Sequence, residues 1–170
     1  MSNSENILQL TKDSTANLLE TLNSFSSEEL NKVPFEGSWT GGQVAEHLLK
    51  SRAGIAGLLQ HHTASTERAP DEKVQLLKDM FLNFDTKFQA PDELVPSSPG
   101  HDKDGLYRAL KQNGEELNEA ISGMDVDQTC KAAPFPGMGE LTRREWLSFT
   151  AFHTQRHTRQ MNNILKKLKE

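Results

Sequence analysis

The sequence predicts an all-α fold, a four-helix bundle with extra short elements, and three observations predict it. Apolar residues recur at steps of three and four along four separate segments. Capping residues stand where two of those segments open. Between them there is no alternating strand pattern of useful length, no fixed-period repeat and no low-complexity tract.

In the first segment Ile7, Thr11, Ser14, Leu18, Leu22 and Phe25 share one face. The SSEEL stretch at 26–30 reads as a new turn, with Ser27 capping an acidic start. Pro34 and Gly37 then impose a loop to about Thr40. The second segment, about Thr40 to His62, has Val44, Leu48, Ser51, Ile55, Leu58 and Leu59 as its stripe. Thr40 can cap it, while Gly54 and Gly57 weaken it slightly but let a neighbour pack closely. A short helix opening at Pro70–Asp71 suits Val74, Leu77, Phe81 and Phe84. The three prolines of PDELVPSSPG (91–100) demand an irregular connection. Residues 63–101 thus read as a long crossover, which lets the helices it joins run parallel. The third segment, about Asp102 to Met124, carries Leu106, Leu110, Asn113, Leu117, Ile121 and Met124. The fourth opens near Leu141–Thr142 and runs almost to the end, with Thr142 and Glu145 spaced as a capping box.

The 170 residues suit a single domain over 1–170. Hydrophobic residues make up 35% and charged residues 25%, a globular rather than a disordered balance. A formal net charge of -5 gives a nucleic-acid partner no general electrostatic support. The late Lys166, Lys167 and Lys169 read as complements to a helix dipole. No apolar run approaches the ~20 residues that cross a bilayer. The opening MSNSENILQL has neither the basic start nor the apolar stretch of a signal peptide, so the expected location is the cytoplasm. The single cysteine, Cys130, cannot form an internal disulfide, and no histidine nearby in sequence marks it as a nucleophile.

The histidines carry the chemistry. On the fourth helix Trp146, Phe149, Thr150, Met161, Ile164 and Leu168 form the buried stripe, and His153 and His157 fall near its middle. Imidazoles four residues apart point the same way and can share one metal ion. The competing reading is a pair of hydrogen-bonded core histidines, since burial is costly without partners for the ring nitrogens. A third ligand would come from another helix, and His47, His61, His62 and His101 are the candidates. His62 also faces inward, but it lies ~22 Å from His47 along an ideal helix, so the second helix offers one or the other. Periodicity prefers neither.

SWTGGQVAEHLLKS (38–51), GELTRREW (139–146) and FHTQRHTRQMNNI (152–164) resemble the DinB-like superfamily, the damage-inducible and YfiT-type group of four-helix-bundle metalloproteins. Mapped residue by residue, that resemblance implies His47, His153 and His157 as metal ligands and demotes His61, His62 and His101. It also implies an up-down-down-up bundle, with the long crossover between the second and third helices, and a homodimer. Its members include thiol-dependent transferases using bacillithiol, mycothiol or glutathione, a mycothiol-dependent isomerase, and proteins described as metal-dependent hydrolases.

Three expectations follow. The first is a metal-dependent enzyme of the thiol S-transferase type, acting on small electrophiles with a low-molecular-weight thiol as partner. The second is a metal-dependent hydrolase. The third is a non-catalytic, stress-related metal-binding bundle. Zinc suits three imidazoles and nickel accepts them, whereas iron or manganese more often calls for a carboxylate. Glu46 neighbours His47 but projects ~100° away, toward the polar side. Gln160, one turn beyond His157, is placed to touch a bound ligand or water, or to support the ligand set from behind. Arg156 is placed to take an anionic substrate group, with an edge salt bridge as its plainer use. Trp39 and Trp146 read as packing residues.

Overall fold

A computed structural model describes residues 3–170 of the chain. Four long segments dominate it: α1 (Asn3–Asn23), α3 (Gly41–Arg52) continued by α4 (Ile55–Gln60), α6 (Lys103–Ile121) and α7 (Arg143–Leu168). Short elements fill the connections: α2 (Ser27–Leu30), β1 (Thr63–Ala64), α5 (Val74–Phe81), a 3-10 turn at Asp92–Leu94, and β2 (Thr129–Cys130). The two strands pair antiparallel, Thr63 opposite Cys130, which alternation over so few residues does not reveal.

Two apolar clusters fix the helix directions. One joins Ile7 of α1, Ile55 and Leu59 of α4, Leu117 and Ile121 of α6, and Trp146 and Leu147 of α7. The other joins Leu18 and Leu22 of α1, Val44 and Leu48 of α3, Leu106 and Leu110 of α6, and Met161 and Ile164 of α7. The starts of α1 and α7 therefore share one end of the bundle with the ends of α4 and α6. The order is up, down, down, up, with α3 and α6 parallel.

The predicted apolar faces of the four main segments are turned inward, whereas Phe84 of the predicted short helix lies past the end of α5 and is exposed. Along α1, Ile7, Thr11, Ser14, Leu18 and Leu22 are buried, and so is Phe25 just past its end. Thr40 caps α3 and Thr142 caps α7, each with a reciprocal box closed by Gln43 and Glu145. Among the boundaries that differ from expectation, α6 ends at Ile121 rather than near Met124, where Gly123 takes a φ of 72°. The cap of α2 is Ser26 rather than Ser27, because Glu29 three residues on closes the box onto Ser26. The second helix is interrupted at Ala53–Gly54. There the Arg52 carbonyl accepts from Nδ2 of Asn113 at 3.2 Å, a partner on α6 that a continuous helix would not need. Finally, α5 begins at Val74 instead of Pro70–Asp71, because the Lys73 amide donates to the Glu145 carboxylate at 2.9 Å and the Pro70 carbonyl accepts from Thr142.

Between the two apolar clusters lies a polar layer. Thr15, Arg52, Asn113 and Thr154, one residue from each main helix, meet there and are buried. His153, next to Thr154, stands at the same level. Among the described residues no helix is long and apolar enough to cross a membrane.

Candidate metal centre

Two helices and one loop build the centre. His47 lies in the second turn of α3, on the buried side beside Val44 and Leu48. His153 and His157 lie one turn apart on α7. The packing of α3 against α7 brings the three rings together. Nε2 of His153 is 3.3 Å from Nε2 of His47 and 3.1 Å from Nε2 of His157. One ligand atom from each residue lies within 4.8 Å of the others. His47 and His153 are buried, and His157 is partly exposed, so access is from the His157 side.

Each ring is held from behind through Nδ1. His47 Nδ1 donates to the Leu94 carbonyl at 2.9 Å. His157 Nδ1 donates to Oε1 of Gln160 at 2.7 Å. His153 Nδ1 lies 3.5 Å from Oγ of Ser51, whose own hydroxyl donates to the Leu48 carbonyl at 3.0 Å. A carbonyl only accepts, so the proton of His47 sits on Nδ1 and its Nε2 carries a lone pair. The same logic applies to His157. Outer partners of this kind orient metal-bound histidines and set their tautomer.

The donor set fits a divalent ion. Two metal–nitrogen bonds of about 2.0–2.1 Å at a near-tetrahedral angle separate their nitrogens by about 3.3 Å. The two Nε2 separations of 3.1 and 3.3 Å match that span. Burial also keeps the rings neutral, as ligation requires. It pushes the His157 pKa down to about 4, with the nearby His47 charge adding to the effect. His47 is lowered chiefly by the same desolvation, and His153 is pushed well below the usual range by burial and then by its two histidine neighbours.

Aromatic rings wall the site. Phe149 stacks on His153 with centroids 5.3 Å apart, and Phe81 meets the same ring edge-on at 5.9 Å. Trp39 lies 5.4 Å from His47. It packs against the core, as expected, and at the same time walls the site.

The other predicted residues have different employments. Gln160 takes the supporting place behind His157. Arg156 donates to the carbonyls of Phe81, Asn83 and Thr86 and lies 5.0 Å over the Phe88 ring, so its guanidinium clamps the crossover to α7. His61 and His62 are both exposed, and His62 has a φ of 33° just past the end of α4. That corrects the inward orientation an unbroken helix gives it. His101 bonds Glu46 through Nε2 at 2.7 Å. Cys130 is buried with its thiol pKa pushed up to about 11 by desolvation, which makes it inert.

Sequence reasoning missed Leu94, Ser51 and Arg52. Leu94 acts through its backbone, which leaves no side-chain signal. Ser51 is a polar interruption of an apolar stripe opposite a histidine, and that was the available hint.

A model of the DinB superfamily matches residues 10–161 of the chain. The chain is similar to the uncharacterized protein YuaE of Bacillus subtilis (strain 168), 29% identical over 157 residues that cover 88% of this chain and 93% of that protein. Among solved structures it is similar to YfiT from Bacillus subtilis, described as a probable metal-dependent hydrolase with an unusual four-helix bundle topology. That match has a TM-score of 0.64 and 14% identity, covering 99% of this chain and 90% of that one. At such identity the likeness is one of fold.

Proposed function

The chain belongs to the DinB superfamily, and from that premise we propose that it is a divalent-metal-dependent enzyme of the thiol S-transferase type, with His47, His153 and His157 holding the ion. One observation carries the reading: three Nε2 atoms converge while every Nδ1 has a partner behind it. Zinc or nickel suits three neutral imidazoles. When bound, such an ion supplies Lewis acidity and lowers the pKa of a thiol or a water at its open position.

The chain's own residues account for the rest. Leu94, Ser51 and Gln160 hold the rings in the tautomer that offers Nε2. Phe81, Phe149 and Trp39 keep bulk water from the ligands and offer apolar walls to a small electrophile. Among the described residues, the ring partners are a carbonyl, a hydroxyl and a carboxamide, with no carboxylate to serve as general base. Glu46, beside His47 in sequence, is committed to Ser97 and His101. A thiol with an ordinary pKa near ~8.5 needs less assistance than water to ionise, which favours the thiol as nucleophile.

Hydrolysis is the second reading, favoured by the description of YfiT. Zinc- or nickel-loaded protein assayed with a panel of small thiols against a generic electrophile, and separately against activated esters, decides between them. Thiol transfer is expected to exceed background only with metal and thiol together. Ester cleavage without thiol would move the assignment to hydrolysis. No metal-dependent turnover in either assay would leave a metal-binding bundle without catalysis.

A further inference from the structure

Arg52 is 2% exposed at the middle of the bundle. Its Nε donates to Oδ1 of Asn113 at 2.9 Å, its Nη1 to Oγ1 of Thr154 at 2.7 Å, and its Nη2 to Oγ1 of Thr15 at 2.8 Å. All three acceptors are neutral, and Arg52 takes part in none of the ion pairs among the described residues. Hydroxyls and a carboxamide satisfy its donors without cancelling its charge. An uncompensated buried charge is costly, and an apolar or amide side chain would fill the same space at lower cost.

The cation stands beside the histidine centre. Ser51, the residue before Arg52, puts its Oγ 3.5 Å from His153 Nδ1. Thr154, the residue Arg52 binds, follows His153 in the chain. The three ligands are neutral, so nothing in the ligand set opposes the field of the guanidinium.

We propose that Arg52 is a positioning residue that biases the three-histidine centre toward an anionic ligand at its open position. It touches no reacting atom and acts through its field. A thiolate or a carboxylate gains from that field, and a neutral ligand does not. The same field opposes the metal cation itself, so the charge trades some metal affinity for anion affinity. This inference rests on the metal-binding reading above.

Asn113→Asp sets a carboxylate of the same size against the guanidinium and gives up the Nδ2 bond to the Arg52 carbonyl, and Arg52→Met removes the charge outright. Cobalt(II)-loaded protein reports ligand binding through its visible absorption, with azide as the anionic probe and imidazole as the neutral one. Both variants are expected to bind azide about tenfold more weakly, the size Coulomb's law gives for unit charges roughly 10 Å apart at an effective dielectric near 20. Imidazole affinity stays within about twofold, and cobalt affinity is equal or higher. General structural damage would lower all three together, and that pattern overturns the inference. So does unchanged azide affinity in cobalt-loaded Asn113→Asp, the variant that decides the matter should Arg52→Met fail to fold. A wild-type chain that binds no cobalt overturns the metal reading, and this inference with it.

Discussion

The Leu94 carbonyl lies 2.9 Å from Nδ1 of His47, so a ring at the start of α3 is held by a loop late in the crossover. The neighbouring residue keeps that loop in place. Glu46 accepts from the Ser97 amide and hydroxyl, each at 2.8 Å, and from His101 at 2.7 Å. Burial pushes the Glu46 pKa up, but bonds from His101 and Ser97 outweigh it and hold the value near about 2. Lys50 adds a bond to the Val95 carbonyl. One helix face thus presents a ligand, and the adjacent face anchors what orients it. Glu46→Ala is expected to weaken metal binding about 10-fold or more, the size typical of lost outer-shell partners. Competition against a fluorescent chelator measures this, and equal affinity in the variant would sever the proposed coupling.

Acid is expected to destabilise the metal-free protein before carboxylates titrate. The unfolded chain protonates its histidines near ~6.5. Folded His157, whose ring is desolvated and faces His47, does so only near about 4. Between those values the unfolded state binds more protons, so stability is fully present above pH 6.5 and is lost as pH falls toward 4. His157 alone accounts for roughly 2–3 kcal/mol at the low end. Urea unfolding at several pH values, with chelator present, shows the slope. The His47→Ala, His153→Ala, His157→Ala triple variant should flatten it. A slope of equal size in that variant would assign the effect elsewhere.

Glu145 is expected to matter for stability without touching the centre. Its side chain is 0% exposed and takes two bonds from Arg68, each 2.7 Å, besides the amides of Lys73 and Thr142. Those contacts lock the start of the crossover onto the first turn of α7. Glu145→Gln leaves the Arg68 guanidinium without its carboxylate and should cost about 2–3 kcal/mol in chemical denaturation. Metal stoichiometry should be unchanged. A drop in stoichiometry in the folded variant would show that this end of α7 reaches the centre.

Much of the bundle was legible because burial imposes the helical period on side-chain type. The α1 stripe from Ile7 to Phe25 and the α7 stripe around His153 follow that period, and Thr40 and Thr142 announce their helices through capping chemistry. What escaped was decided by distant partners. Gly54 and Gly57 left the second helix able to continue, and Asn113 on α6 determined that it breaks after Arg52. His62 stands out in solvent because the helix ends at Gln60 and the chain turns there toward β1. The pair His153 and His157 was readable from spacing, whereas His47 was selected over His62 by family resemblance alone. Arg52 was passed over because a lone arginine in the middle of a helix reads as a surface cation, and only the tertiary fold buries it.

Metal content of the chain purified without a histidine tag tests the central claim most directly, followed by titration with zinc or nickel. The account predicts one ion per wild-type chain after titration and none in the triple alanine variant. At a metal concentration about 100 times Kd the folded state should gain roughly 2.7 kcal/mol, a shift plain in a melting curve. A wild-type chain that binds no ion and melts unchanged in the presence of either metal would contradict it, leaving His47, His153 and His157 as core residues that merely converge.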